Sequence, residues 1–219
     1  MQKLTSRRVL INWILAFSVI TVAAKTPSPS PSLLLPRFST LASLPDTVPV
    51  IPSLPALSLT DMAGKPAFLH LDGTQQYLVI VFLSPECPLC QNYTAVLDKL
   101  AGVYKGKIAL YGIIPGKSYS TVQAEKFRTD YHIGFDLLFD RHFQLSRLLK
   151  ATTTPEAFLI NRKNEVLYTG LIDNWAASLG VQRTVVTKHY LADAIDASLH
   201  HLPANPHSTR PVGCLINTH

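Results

Sequence analysis

One stretch constrains the fold more than any other: Tyr77-Leu-Val-Ile-Val-Phe-Leu83, followed by Ser84-Pro85-Glu86-Cys87-Pro88-Leu89-Cys90. An uninterrupted apolar run of this length reads as a strand buried on both faces. Ser84-Pro85 ends it. Beyond the cysteines, Tyr93, Val96, Leu97 and Leu100 recur at helical spacing, which predicts a helix from about Pro88 to Tyr104. The Cys-x-x-Cys pair therefore falls at a strand-to-helix junction. Unpaired helix N–H groups and the positive end of the helix dipole lie there, and both favour a thiolate over a thiol.

Spacing alone leaves three uses for the pair: dithiol redox chemistry, a structural disulfide, or two ligands of a zinc site. Zinc takes about four ligands, and Cys214 is the one thiol left to add. A disulfide closing so short a loop removes little unfolded-state entropy. Redox chemistry is the best use of the residues. Cys87 is then the nucleophile, ahead of the first turn and more exposed than Cys90. Cys90, inside the helix, is positioned to attack a mixed disulfide and release the partner. Pro88 and Glu86 flank the nucleophile. A carboxylate at Glu86 would raise the thiol pKa and oppose the dipole, so a reducing or moderate redox couple is expected. Cys214, in Val212-Gly213-Cys214-Leu215-Ile216, is either a small buried apolar residue or a candidate third thiol. In the second case it would pair with one of the first two cysteines or with another chain.

Around this stretch, strands and helices alternate. Ala56 to Leu59 and Phe68 to Leu71 are short extended pieces, and Lys107 to Ile114 is a second apolar strand. Ser120 to Tyr131 is an amphipathic helix with Val122, Phe127 and Tyr131 on one side. Phe135 to Phe139 is a strand, and Asp140 is expected to N-cap a helix carrying Phe143, Leu145, Leu148 and Leu149. Thr154-Pro155 precedes an apolar strand, which Asn161-Arg-Lys-Asn164 turns into a hairpin with Glu165 to Gly170. Asn174 to Thr187 reads as a long loop holding Trp175. A last helix is expected from about Val185 to His200, with Val186, Tyr190, Leu191, Ile195 and Leu199 inward. Alternation in the first half implies a parallel α/β core, to which the hairpin adds an antiparallel part.

The ends carry a different message. Residues 1–24 form a signal peptide or membrane anchor: a basic start with Lys3, Arg7 and Arg8, an apolar run from Val9, and Val22-Ala23-Ala24 as a small-residue cleavage site. Residues 25–55 are a Pro/Ser-rich linker. Residues 56–200 form the domain, and 201–219 a C-terminal tail with Cys214. The domain is expected to be exported, periplasmic or otherwise extracytoplasmic, where disulfides persist. The formal charge of +6 includes the three cations of the first segment. The remainder is weakly basic without a dense Lys/Arg run, which argues against nucleic-acid binding. The eight His residues form no i,i+4 helical pair and no His-Glu-x-x-His, so no metal and no other cofactor is expected.

Strand, Cys87-Pro-Leu-Cys90 at a helix start, an inserted helix and strand, Thr154-Pro155 before a strand, a hairpin and a closing helix together resemble the thioredoxin-like superfamily. Within it, Ser-Pro-Glu-Cys-Pro-Leu-Cys with a late Gly-Cys-Leu-Ile is similar to exported redoxin-domain proteins of AhpC/TSA or thiol–disulfide oxidoreductase type. The resemblance implies an α/β thioredoxin-like fold, a central mixed sheet flanked by helices. It also implies a cis Thr154–Pro155 bond facing the cysteines on the substrate side. Ordinary thioredoxins carry Trp where this chain has Glu86. Peroxiredoxins have proline where it has Ile80, although Ser84 fits their Thr/Ser position. Sco-type copper proteins space the cysteines one residue further apart and add a distant His. The expected function is exported thiol–disulfide exchange with protein thiols and disulfides through Cys87 and Cys90. A copper-handling Sco-like module and a thiol peroxidase are the alternatives.

Overall fold

The computed structural model describes Ile51, Leu54 and residues 57–217. The signal-like segment 1–24 and, apart from Ile51 and Leu54, the Pro/Ser-rich stretch lie outside the described residues. In chain order the elements are β1 (Leu59–Thr60), β2 (Pro66–Ala67), β3 (Tyr77–Phe82), α1 (Pro88–Val103), β4 (Ile108–Pro115), α2 (Thr121–Asp130) and β5 (Asp136–Asp140). There follow α3 (Gln144–Leu149), β6 (Thr153–Thr154), β7 (Glu156–Asn161), β8 (Val166–Gly170), β9 (Ala176–Ser178), β10 (Val181–Gln182), α4 (Tyr190–Leu199) and β11 (Cys214–Leu215).

Seven strands make one mixed sheet in the order β2-β1-β5-β4-β3-β7-β8. β3 runs parallel to β4 and antiparallel to β7, and β4 is parallel to β5. β3 lies inside the sheet between β4 and β7, and every one of its residues is buried. Tyr77, Val79 and Val81 face one core with Leu89, Tyr93, Leu97 and Leu100 of α1 and Leu191, Ala194 and Ile195 of α4. Leu78, Ile80 and Phe82 face the other, with Leu145 and Leu149 of α3 and with Ile51, Leu54 and Leu59. Two-sided burial is the reason the run carries no polar residue.

Several local expectations change. Val122 is 76% exposed, and α2 is held through Ala124 and Phe127 instead. Its start is set by a capping box between Ser120 and Gln123. α4 begins at Tyr190 rather than Val185, which is exposed. The loop 174–187 contains the β9–β10 hairpin. Asp140 ends β5 and is not the N-cap residue; Phe143, in the left-handed region, holds that position. The Asp140 carboxylate still reaches the helix start, accepting from the Gln144 N–H and from the Ser146 N–H and hydroxyl at 2.7–2.8 Å.

The segment 201–217, read from sequence as a tail, is stitched to the domain. The Thr169 N–H donates to the His207 carbonyl and the Thr209 N–H to the Thr169 carbonyl. A Cβ on Gly170 would lie 2.2 Å from the Thr209 carbonyl oxygen, so only glycine admits this approach. β11 then pairs antiparallel with β6, Cys214 opposite Thr154.

Asp140 is fully buried and serves three donors. Asp140→Ala should cost about 2–3 kcal/mol, since a buried donor left unpaired costs about 1–3 kcal/mol. The check is a lower urea midpoint at unchanged slope.

Candidate functional site

Local chemistry builds the turn that delivers the cysteines. The Leu83 N–H still bonds across to Ile113, but beyond it the chain leaves the sheet. The Cys87 N–H donates to the Ser84 carbonyl at 3.1 Å, and the Gln91 side-chain amide donates to the Pro85 carbonyl at 2.8 Å. Cys87 is the N-cap residue of α1, with Pro88 in the first turn, where proline costs no hydrogen bond. Glu86 and Pro88 are exposed.

The opposite wall is the start of β7. The Thr154–Pro155 bond is cis, as the family resemblance implies. A residue not singled out from sequence shapes this wall. The Glu156 carboxylate, 5% exposed, accepts from the Thr152 and Thr153 N–H groups at 2.8 and 3.1 Å and ties down the segment that forms β6.

The two walls meet at sulfur. The Cys87 sulfur lies 3.3 Å from the Thr154 carbonyl oxygen. The Ser84 N–H donates to the Cys90 sulfur at 3.4 Å. The Cys214 sulfur lies 2.8 Å from that of Cys87. None of the three cysteines is in a disulfide. The structure therefore brings together Cys87, Cys90, Thr154, Pro155 and Cys214. It does not bring Glu86 onto the thiol.

Cys87 is the more exposed of the pair, as expected, although both are buried, at 2% and 0%. One expectation is corrected: the Cys87 pKa is not raised by Glu86. It is lowered to about 5, chiefly by the Cys90 thiol, against the opposing effect of burial. The Cys214 thiol and the backbone N–H groups of Cys90 and Cys214 add to the lowering. Cys90 moves the other way, well above the ordinary range, through burial and then the negative charge it faces on Cys87. Cys214 is pushed up to about 11 by burial and by Cys87. The trio shares one negative charge, held on Cys87.

Tyr119 is a further neighbour that the sequence does not single out. Its hydroxyl pairs with the Ser84 hydroxyl at 2.8 Å. Ser84, the residue that fits the peroxiredoxin pattern, thus spends its side chain on Tyr119. Trp175 packs edge-to-face on Tyr93 with ring centroids 5.6 Å apart. The Tyr93 hydroxyl in turn donates to Asp173 at 2.6 Å. Tyr119 and Asp173 sit in loops, and only long-range contacts give them a place.

Among the described residues, no group of three or more His, Cys, Asp or Glu is arranged to hold a metal ion, and no helix is long and apolar enough to cross a membrane.

The AhpC/TSA family profile matches residues 52–169, which include Cys87, Cys90 and Pro155 but not Cys214. No curated protein matches the chain. Among solved structures, a hypothetical protein from Sinorhizobium meliloti is 25% identical with a TM-score of 0.63, over 75% of this chain and 93% of that one. An uncharacterized conserved protein from Geobacillus kaustophilus is 23% identical with a TM-score of 0.64, over 78% and 93%. DsbF of MTB, in its mixed oxidized and reduced forms, is 17% identical with a TM-score of 0.50, over 68% and 98%. These likenesses carry the fold, which is thioredoxin-like.

In the reduced protein, Cys87 alkylation and thiolate ultraviolet absorbance should titrate with a midpoint near pH 5. Cys90→Ala, which removes the main donor, should move that midpoint up more than Cys214→Ala does. The linkage sign follows: a depressed acid stabilises the fold fully above its unfolded value of 9.0, and the stability is lost as pH falls to about 5. Reduced protein should therefore gain urea resistance from pH 5 to 9 by more than Cys87→Ala protein does.

Proposed function

The chain belongs to the AhpC/TSA family, and from that premise we propose that it is an exported thiol–disulfide oxidoreductase whose partners are protein thiols and disulfides. The observation that carries the reading is geometric: Cys87 caps the start of α1 with Cys90 one turn on, and its sulfur lies 3.3 Å from the carbonyl that precedes cis-Pro155. The pKa directions agree, with Cys87 lowered to about 5 and Cys90 raised. The thiolate is the nucleophile of disulfide exchange. At neutral pH Cys87 is in that form while Cys90 holds its proton.

The Cys87 thiolate attacks one sulfur of a partner disulfide and expels the other as a thiolate. Once Cys87 is in the mixed disulfide its charge is gone, and with it one cause of the high Cys90 pKa. Cys90 then attacks Cys87 and frees the partner as a dithiol. Run backwards, the same steps oxidise a partner. Stabilising the thiolate stabilises the reduced state, which makes the disulfide a better oxidant. The geometry therefore favours a more oxidising couple than the exposed Glu86 implies.

Thr154 and Pro155 form the wall against which a partner sulfur reaches Cys87. Export rests on the basic start and apolar run of residues 1–24. Residues 1–24 would serve as a cleaved signal or as a tether, and the Pro/Ser-rich stretch as the spacer that follows.

The test is reduction of insulin disulfides with dithiothreitol. Cys87→Ser should fall to the rate of dithiothreitol alone, and retention of wild-type turnover would sink the assignment.

A further inference from the structure

Cys214 reaches the site from outside the stretch that the family profile covers. Three independent features hold it there. β11 pairs antiparallel with β6, with Cys214 opposite Thr154 and Leu215 opposite Thr153. The Ile216 N–H donates to the Thr152 carbonyl at 2.9 Å just beyond the cysteine. Just before it, Gly213 passes so close that a Cβ would lie 2.2 Å from the Thr154 carbonyl oxygen. Extended backbone then alternates side chains: Ile216 packs on the core under β3, Leu215 is 83% exposed, and Cys214 turns to Cys87. Cys214 packs against the same core as Cys87 and Cys90, and its sulfur in addition lies 2.8 Å from that of Cys87.

We propose that Cys214 is a second resolving thiol, which competes with Cys90 for Cys87 and closes a Cys87–Cys214 disulfide across the site. The inference rests on Cys87 as the nucleophile. The step balances without further reagents. A partner disulfide first gives a Cys87 mixed disulfide and one partner thiolate. The Cys214 thiolate attacks the Cys87 sulfur, a Cys87–Cys214 bond forms, the mixed disulfide breaks, and the second partner sulfur leaves as a thiolate. It takes up the proton that Cys214 gave up. Two electrons pass from Cys87 and Cys214 to the partner, which ends as a dithiol.

Electrostatics times the step. Cys214 is held protonated partly by the negative charge on Cys87. That charge disappears when Cys87 enters a disulfide, so Cys214 becomes a better nucleophile when there is a mixed disulfide to resolve. Cys90 can later attack the Cys87–Cys214 bond and release the strand. The oxidised protein thus exchanges between two internal disulfides that share Cys87.

The test uses full-length Cys90→Ser and Cys90→Ser/Cys214→Ser proteins and an aryl disulfide, dithionitrobenzoate, as the partner. Each reduced protein is mixed with the reagent, released aryl thiolate is followed, and the products are mapped by mass. Cys90→Ser should release a first equivalent as Cys87 is modified, then a second as Cys214 displaces the aryl group, and should end as Cys87–Cys214 with no adduct. The double variant should stop with the aryl group on Cys87. If Cys90→Ser keeps its Cys87 adduct as long as the double variant does, Cys214 is not a resolving thiol, although Cys87 stands as the nucleophile. If Cys87 takes up no aryl group in either protein, the nucleophile itself is misassigned and both readings fall.

Wild-type protein provides the arm that no substitution can unfold. After oxidation, acid quenching and alkylation, it should yield Cys87–Cys214 peptides beside Cys87–Cys90. Cys214 found only alkylated would overturn the proposal. In the Cys90→Ser background, Gly213→Ala should slow the second release more than the first, because it displaces the strand that carries Cys214.

Discussion

The register of β3 on β7 is the constraint on which the site depends. Phe82 lies opposite Glu156 at the end of the antiparallel ladder. The chain leaving β3 after Phe82 and the chain entering β7 before Glu156 therefore meet at one edge of the sheet. Cys87 belongs to the first and Thr154 to the second. A slip of one residue would turn every β7 side chain to the opposite face. Ala157 and Leu159 would leave the α1–α4 core for the α3 side, and Phe158 would make the reverse exchange. Both faces are filled with large apolar groups, so packing at each opposes the slip. Core residues some distance from sulfur thus hold the distance between Cys87 and the Thr154 carbonyl.

What this edge holds is a shared charge. A single buried thiol would be raised in pKa, as Cys90 is. Cys87 escapes because two neighbouring thiols and two backbone N–H groups solvate its anion in place of water. Donors fixed in position by a helix start and a β-ladder cost little to orient. Each donor becomes less acidic by facing that anion, so the three thiols differ in readiness although they are chemically identical. Oxidising Cys87 removes the anion and changes both neighbours at once. The proposed roles of one nucleophile and two resolvers rest on that coupling.

Much of the frame was legible in the residues. The run from Tyr77 is apolar because both faces of β3 are buried, and Tyr93, Val96, Leu97 and Leu100 after Pro88 spell α1, although Val96 is 40% exposed. The dithiol could thus be placed at the junction. Features set by distant contacts were not legible. β6 and β11 are two residues each and have no period of their own, and their pairing joins positions 60 residues apart. Glu156 looks like any strand-edge carboxylate until the Thr152 and Thr153 amides turn back on it. Glu86 is next to Cys87 in sequence, yet its exposed side chain contributes nothing to the thiol. Adjacency along the chain was a poor guide to the field, and the field was supplied by Cys90 and Cys214.

Cys214 shows how local composition misleads. Val212, Leu215 and Ile216 make it look like part of an apolar cluster. Val212 and Cys214 pack against the α1–α4 core, Ile216 joins the core on the other side of the sheet, and Leu215 is exposed. The apolar neighbours anchor the strand while the cysteine between them is free to face sulfur. Gly213 completes the arrangement, since any side chain there would meet the Thr154 carbonyl. The Gly-Cys-Leu-Ile order then reads residue by residue: glycine for close approach, cysteine as a thiol facing Cys87, leucine outward by alternation, isoleucine for anchorage. A strand so placed also occupies the free edge of β6. On the α1 side of the site Pro88 is exposed, whereas β6 is already paired with β11.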